Sequence, residues 1–128
     1  MKIKLLSGAA RKLWANKHEG VGAEISVPLP KQVIAVIKGK VIFRTGIACN
    51  SKKNLIIRPK VSMANTKFSL LNYATMVDKN NSEELVVICN YGGDAAGIDI
   101  NAGDILFAIV ALNEEPIKWN AVREFPTD

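Results

Sequence analysis

Histidine, cysteine and aromatic side chains are scarce in this chain, and each scarcity closes off a kind of chemistry. His18 is the single histidine, so neither a histidine-based catalytic triad nor a multi-histidine metal site can be built within one chain. In NKHEG it reads as a polar-loop residue. The two cysteines, Cys49 in GIACN and Cys89 in VVICN, lie in apolar stretches at a spacing unlike that of a metal site, and read as buried free thiols. Aromatic residues make up 6% of the chain, which leaves few stacking platforms among the lysines for nucleic-acid bases. The longest apolar run, Ile105 to Leu112, has eight residues, whereas a membrane-spanning helix needs roughly 20. The N-terminal MKIKLLSGAARKLW meets further basic residues before a hydrophobic region can build, unlike a secretory signal. A cytoplasmic location, or the virion if the source is viral, is expected, with no membrane partner.

What is present suits one folded domain spanning 1–128: 48% hydrophobic and 23% charged residues, enough apolar content for a core and too little length for two. The net charge of +5 is unevenly spread. Residues 1–60 carry 13 Lys/Arg against 2 Asp/Glu, a net +11, and residues 61–128 carry 4 against 10, a net −6. A basic surface for nucleic acid is one reading. The lysines are scattered, with only Lys52 and Lys53 adjacent, which favours the other: strands of the two halves interleave and bring opposite charges together.

Short apolar or alternating segments rich in Val and Ile recur between turn residues: KIKLL, AEISVPL, QVIAVI, KVIFRTGIAC, LIIRP, ELVVICN, GIDI, DILFAIVAL, IKW and AVREF. This pattern predicts an all-β barrel or sandwich, with at most one short helix, around residues 62–72. DILFAIVAL lacks polar alternation and needs cover on both faces. A second subunit or a central buried position in the sheet would supply it. Tyr91-Gly92-Gly93-Asp94 lacks the strand-to-helix setting of a phosphate loop and reads as a hairpin turn.

Taken in order, these segments resemble the trimeric dUTPase family over nearly the whole chain. Gly20-Val21-Gly22-Ala23-Glu24-Ile25 is similar to that family's A-G-Y-D-L motif, Arg44-Thr45-Gly46-Ile47 to its V-x-T-G-I strand, and Arg58-Pro59-Lys60-Val61-Ser62-Met63-Ala64 to P-R-S-G-L-A. Asn72 to Asp78 and Glu83 to Asn90 resemble the third motif region, Gly103-Asp104 the fourth motif, G-D-R-I-A-Q-L, and Glu124-Phe125-Pro126-Thr127 the last strand. The resemblance implies a dUTPase-like β-barrel or jelly-roll-like domain that assembles as a homotrimer. The contacts it implies are drawn from Ile105, Phe107, Ile109, Val110, Trp119 and Phe125.

The residues that handle a triphosphate in that family are altered here. The motif-two Arg and Ser, which hold phosphate oxygens, are matched by Lys60 and Val61, so a planar fork becomes a point charge and a hydroxyl becomes an apolar group. The motif's Gly is matched by Ser62, whose Cβ narrows the allowed backbone. Glu24 replaces an Asp, and Ile105 and Ala108 replace the polar pair of motif four. Asp78 aligns with the catalytic aspartate when Asn72 is the anchor, but the neighbouring Tyr and Gly are not kept; on its own, VDKNNS reads as a solvated turn. The sequence stops at Asp128, where a glycine-rich fifth motif would begin, so no lid is expected.

Asp78 and Glu24 are therefore vestigial catalytic candidates, and Arg58, Lys60 and Ser62 are weak nucleotide-binding candidates. No metal site and no cofactor is expected, magnesium entering only with a bound nucleotide. The expected function is a non-catalytic trimer serving as a structural or interaction module. Relatives of this enzyme are common in viruses and phages, where such a module would be a capsid-decorating virion protein. Nucleotide binding without hydrolysis is the alternative, and residual dUTP or dNTP pyrophosphatase activity the second.

Overall fold

The computed structural model describes residues 1–17, 19–31, 33–71, 76–94, 98, 100–113 and 115–125, with 33–35 and 76 by backbone alone. His18, the Asn72 that anchors the third motif, Gly97 and Asp99 of GIDI, and Pro126-Thr127 lie outside the described residues.

Strand β1 (Lys2–Leu5) ends where Ser7, in extended backbone, accepts a hydrogen bond from Ala10 N at 3.0 Å and caps helix α1 (Gly8–Leu13). The cap satisfies an otherwise unpaired helix donor. Ala, Arg, Lys and Leu are strong helix formers, and Arg11 and Lys12 sit in the last turn, where cations suit the helix dipole. The helix expected near residues 62–72 is thereby corrected. That stretch opens with a short 3-10 turn, Val61–Asn65, followed by a strand, and the α-helix lies at the N-terminus.

The remaining strands are β2 (Glu19–Gly22), β3 (Ile25–Pro28), β4 (Val33–Ile37), β5 (Lys40–Asn50), β6 (Leu55–Pro59), β7 (Phe68–Leu70), β8 (Met76–Val77), β9 (Glu84–Tyr91), β10 (Ile105–Ala111) and β11 (Ile117–Val122). The all-β expectation is met, with α1 as the one short α-helix among the described residues. The barrel expectation is not. A large sheet runs β2-β11-β1-β5-β9-β7, with β4 also paired to β5, and a small sheet runs β3-β10-β6-β8. Neither closes, because the outermost described strands of each keep a free edge.

Strand β5 pairs with three others, β1, β4 and β9, and is kinked between its two halves. Lys40 to Arg44 pair with β9 in regular register, the register shifts before Ala48, and Ile47 to Asn50 pair with β1. Gly46 stands in the irregularity at φ +73°. A Cβ there would lie 2.8 Å from Ser7 Oγ and 2.9 Å from Ala10 Cβ, so glycine lets α1 close onto the strand. Glu84 secures the kink, its carboxylate accepting from Gly46 N at 3.0 Å and from the Arg44 guanidinium at 2.8 Å. Thr45, fully buried, donates its hydroxyl to Leu85 O at 2.6 Å.

The core joins both sheets: Ile3, Val41, Phe43, Ile47, Val87 and Cys89 from the large one, and Val27, Leu55, Ile57, Phe107 and Ile109 from the small one. Trp14 and Trp119 form an edge-to-face pair, 5.5 Å between ring centres, and Phe68 packs edge-to-face on Phe43 and tilted against Tyr91. Strand β10 lies between β3 and β6, and Leu106 to Ala111 are all buried within one chain. The cover that DILFAIVAL needs thus comes from its own fold. Interleaving of the two charge halves is also observed. Three ion pairs join a cation from residues 1–60 to a glutamate from 61–128: Lys4–Glu124 at 3.0 Å, Arg44–Glu84 at 2.8 Å, and Lys53–Glu115.

Candidate functional site

An open depression of about 620 Å³ is lined by Glu24, Ser26, Pro59, Lys60, Val61, Ser62 and Ile105. Three chain segments meet there because β10 pairs with β3 on one side and β6 on the other. Glu24 immediately precedes β3, Lys60 immediately follows β6, and Ile105 opens β10. The backbone N–H of Lys60 donates to Leu106 O at 2.8 Å, holding the end of β6 against β10.

Two of the side-chain donors of this depression are engaged within it. Lys60 Nζ donates to Glu24 Oε1, and the Ser62 hydroxyl donates to Ile105 O. Both side chains of the ion pair are partly exposed, so the pair contributes under about 1 kcal/mol of stability. A phosphate arriving here meets a carboxylate beside the cation and a hydroxyl whose proton is already given to a carbonyl. Val61, 87% exposed, adds an apolar rim where an anion would want a donor.

Glu24, Lys60, Ser62 and Ile105, four of the residues singled out from sequence, are brought together. Arg58 is on β6 opposite Ala108, exposed on the outer side of the small sheet, and does not line the depression. Asp78 is placed apart. It follows β8, which pairs with the Leu55 end of β6, whereas the depression is at the Pro59 end. The five residues of β6 set these ends roughly 13 Å apart. Asp78 is exposed, and its carbonyl accepts from Asn81 N at 3.3 Å in a turn completed by Asn80 at φ +60°, a conformation asparagine tolerates.

No protein-family model matches this chain, and no curated protein does. The reading of the site therefore stands on its own chemistry.

Among the expected contact residues, Phe107, Ile109, Val110 and Trp119 are buried inside the chain, Phe125 is half-buried, and Ile105 is 36% exposed at the depression. Ser26, Pro59 and Val61 complete the lining. Pro59 and Val61 belong to the stretch that resembles the second motif, and only Ser26 carried no such mark. Strand β9 ends at Tyr91, and the following Gly92 N donates to Lys67 O at 2.9 Å. Among the described residues no group of three or more His, Cys, Asp or Glu side chains is gathered where it could hold a metal ion, and no helix is long and apolar enough to cross a membrane. Both cysteines are buried, and loss of hydration pushes each thiol up to about 12. Neither is a nucleophile at neutral pH.

Proposed function

We propose that this chain is a non-catalytic protein of the dUTPase-like fold that assembles as a homotrimer and acts as a structural or interaction module, in a virus or phage as a capsid-decorating protein. The observation that carries this reading is the closure of the depression on itself: Lys60 on Glu24, and Ser62 on the Ile105 carbonyl. Phosphoryl chemistry needs cations and donors aimed at the phosphate oxygens and a carboxylate near the attacking water. In one chain Lys60 is paired with a carboxylate and the Ser62 hydroxyl with a carbonyl, and Asp78 lies at the far end of β6. A site using both Asp78 and Lys60 would have to be shared between chains, and would still begin with its lysine neutralised. Incubation with magnesium and a panel of deoxynucleoside triphosphates including dUTP is expected to release no pyrophosphate above the protein-free rate; turnover abolished by Asp78→Asn would overturn the reading. Negative-stain imaging of the protein mixed with capsids that lack it tests the virion role, which ends if no density is added.

Binding without hydrolysis is the second reading, favoured by the size of the depression, which is that of a small-ligand site, and by Lys60 at its edge. A ligand that binds only the folded state raises the melting temperature. A flat thermal-shift response across nucleotides removes this alternative.

A further inference from the structure

The outer face of the large sheet changes character from one side to the other. Across β2, β11 and β1 the outward positions hold Glu19, Asn120 and Lys2 in one row, with Lys118 opposite Val21 and Lys4 opposite Val122 beside them. That is the mainly polar surface a solvated sheet face carries, with isolated valines. Across β4, β5 and β9, Ile42 lies opposite Ile88, Arg44 opposite Val86, and Lys40 opposite both Asn90 and Ile37. Their neighbours Val41, Phe43, Val87 and Cys89 are buried in the core, so the alternation of a strand turns Ile42, Val86, Ile88 and Ile37 outward. Ile37 is 60% and Val86 38% exposed, with Ile42 and Ile88 half-buried beside them. Together they form an apolar strip on a face that otherwise meets water.

We infer that a second copy of this chain covers this strip. The inference rests on the assembly proposed above and names the surface that makes it. Charge argues for a copy of itself over a different partner. At one end of the strip are Lys38 and Lys40; at the other is Glu83, beside the Arg44–Glu84 pair. None of the side chains of Lys38, Lys40 and Glu83 has a polar partner among the described residues. Lys40 and Arg44 are about 13 Å apart along β5. A face with an apolar middle, a cationic end and an anionic end is complementary to itself. Set head to tail around a threefold axis, each copy offers lysines to its neighbour's glutamate. Phe107, Ile109, Val110 and Trp119, already inside their own core, have no comparable surface to give. The strip would form the apolar centre of a contact whose charged ends are its rim.

Sedimentation velocity on the full chain over a range of concentrations tests this. The unmodified protein is expected to associate. Val86→Asp, which buries an unpaired charge in the contact, should weaken association at least about tenfold. Val21→Asp, at a 69% exposed valine on the polar side of the same sheet, should leave it unchanged. Lys40→Glu should also weaken association, and Lys40→Glu with Glu83→Lys should restore it, which a partner other than a second copy would not reproduce. Circular dichroism and melting curves establish that each variant is folded; if Val86→Asp is not, the exposed Lys40 and Glu83 exchanges decide. Association that persists in folded Val86→Asp and Lys40→Glu overturns this inference and leaves the proposed assembly standing on another face. A protein that is monomeric at every concentration overturns both.

Discussion

Gly46 shows how one residue governs a long strand. With φ at +73° and no room for a Cβ between Ser7 and Ala10, alanine there would be strained in its backbone and would push on α1. Gly46→Ala is expected to lower the unfolding free energy by about 2 kcal/mol or more, read as a fall in the urea midpoint at constant slope. The cysteines give a second residue-scale expectation. Burial raises both thiols from the ordinary 9.0 to about 12, so between those values the folded protein binds more protons than the unfolded one. Stability should therefore be insensitive to these groups below pH 9 and fall as pH rises from 9 towards 12. In native protein at pH 8 a thiol reagent should label neither cysteine, and unfolding in urea should expose both. Rapid labelling without denaturant would contradict the burial.

At the scale of elements, α1 depends on its cap. Ser7→Ala removes the acceptor for Ala10 N and should cost roughly 1 kcal/mol, measurable by the same denaturation. The consequence should spread beyond the helix, because Ala10 and Trp14 are buried in the common core. Strand β10 is the other decisive element. Phe107 is fully buried at its centre, and Phe107→Ala should cost about 3–5 kcal/mol in a folded chain. Most strands were legible from alternating Val and Ile between Gly, Pro and Asn. The helix was not, because Gly-Ala-Ala-Arg-Lys-Leu is too short for its periodicity to stand out, and only the Ser7 cap marked its start. Residues 62–72 carried helix formers, but tertiary pairing took Phe68–Leu70 into a sheet with β9.

For the whole molecule, charge arrangement matters more than net charge. The basic first half and acidic second half are laced together by Lys4–Glu124, Arg44–Glu84 and Lys53–Glu115, which leaves less of the +5 as one continuous basic surface. The protein should consequently elute from heparin or DNA resin at modest ionic strength, without the steep salt dependence of a phosphate-backbone binder. Retention well above physiological salt would point instead to nucleic acid as a partner. The candidate site was half legible. Glu24, Lys60, Ser62 and Ile105 were marked by the motifs they resemble, but nothing in the order of residues said that the lysine would be neutralised by Glu24 or the serine occupied by a carbonyl. Those are contacts between segments 36 and 43 residues apart in the chain.

Composition and periodicity, by themselves, determined that this chain folds into short strands around one core, that its thiols are buried, and that no multi-histidine site can be built within one chain. These are local or additive properties, readable from what each segment carries. Only the tertiary structure decided that the strands form two open sheets, that β10 finds its cover within the chain, and that Asp78 and Lys60 stand at opposite ends of β6. It also decided which faces turn outward, because register sets that: a shift of one residue along β9 would bury Val86 and Ile88 and expose Val87 and Cys89.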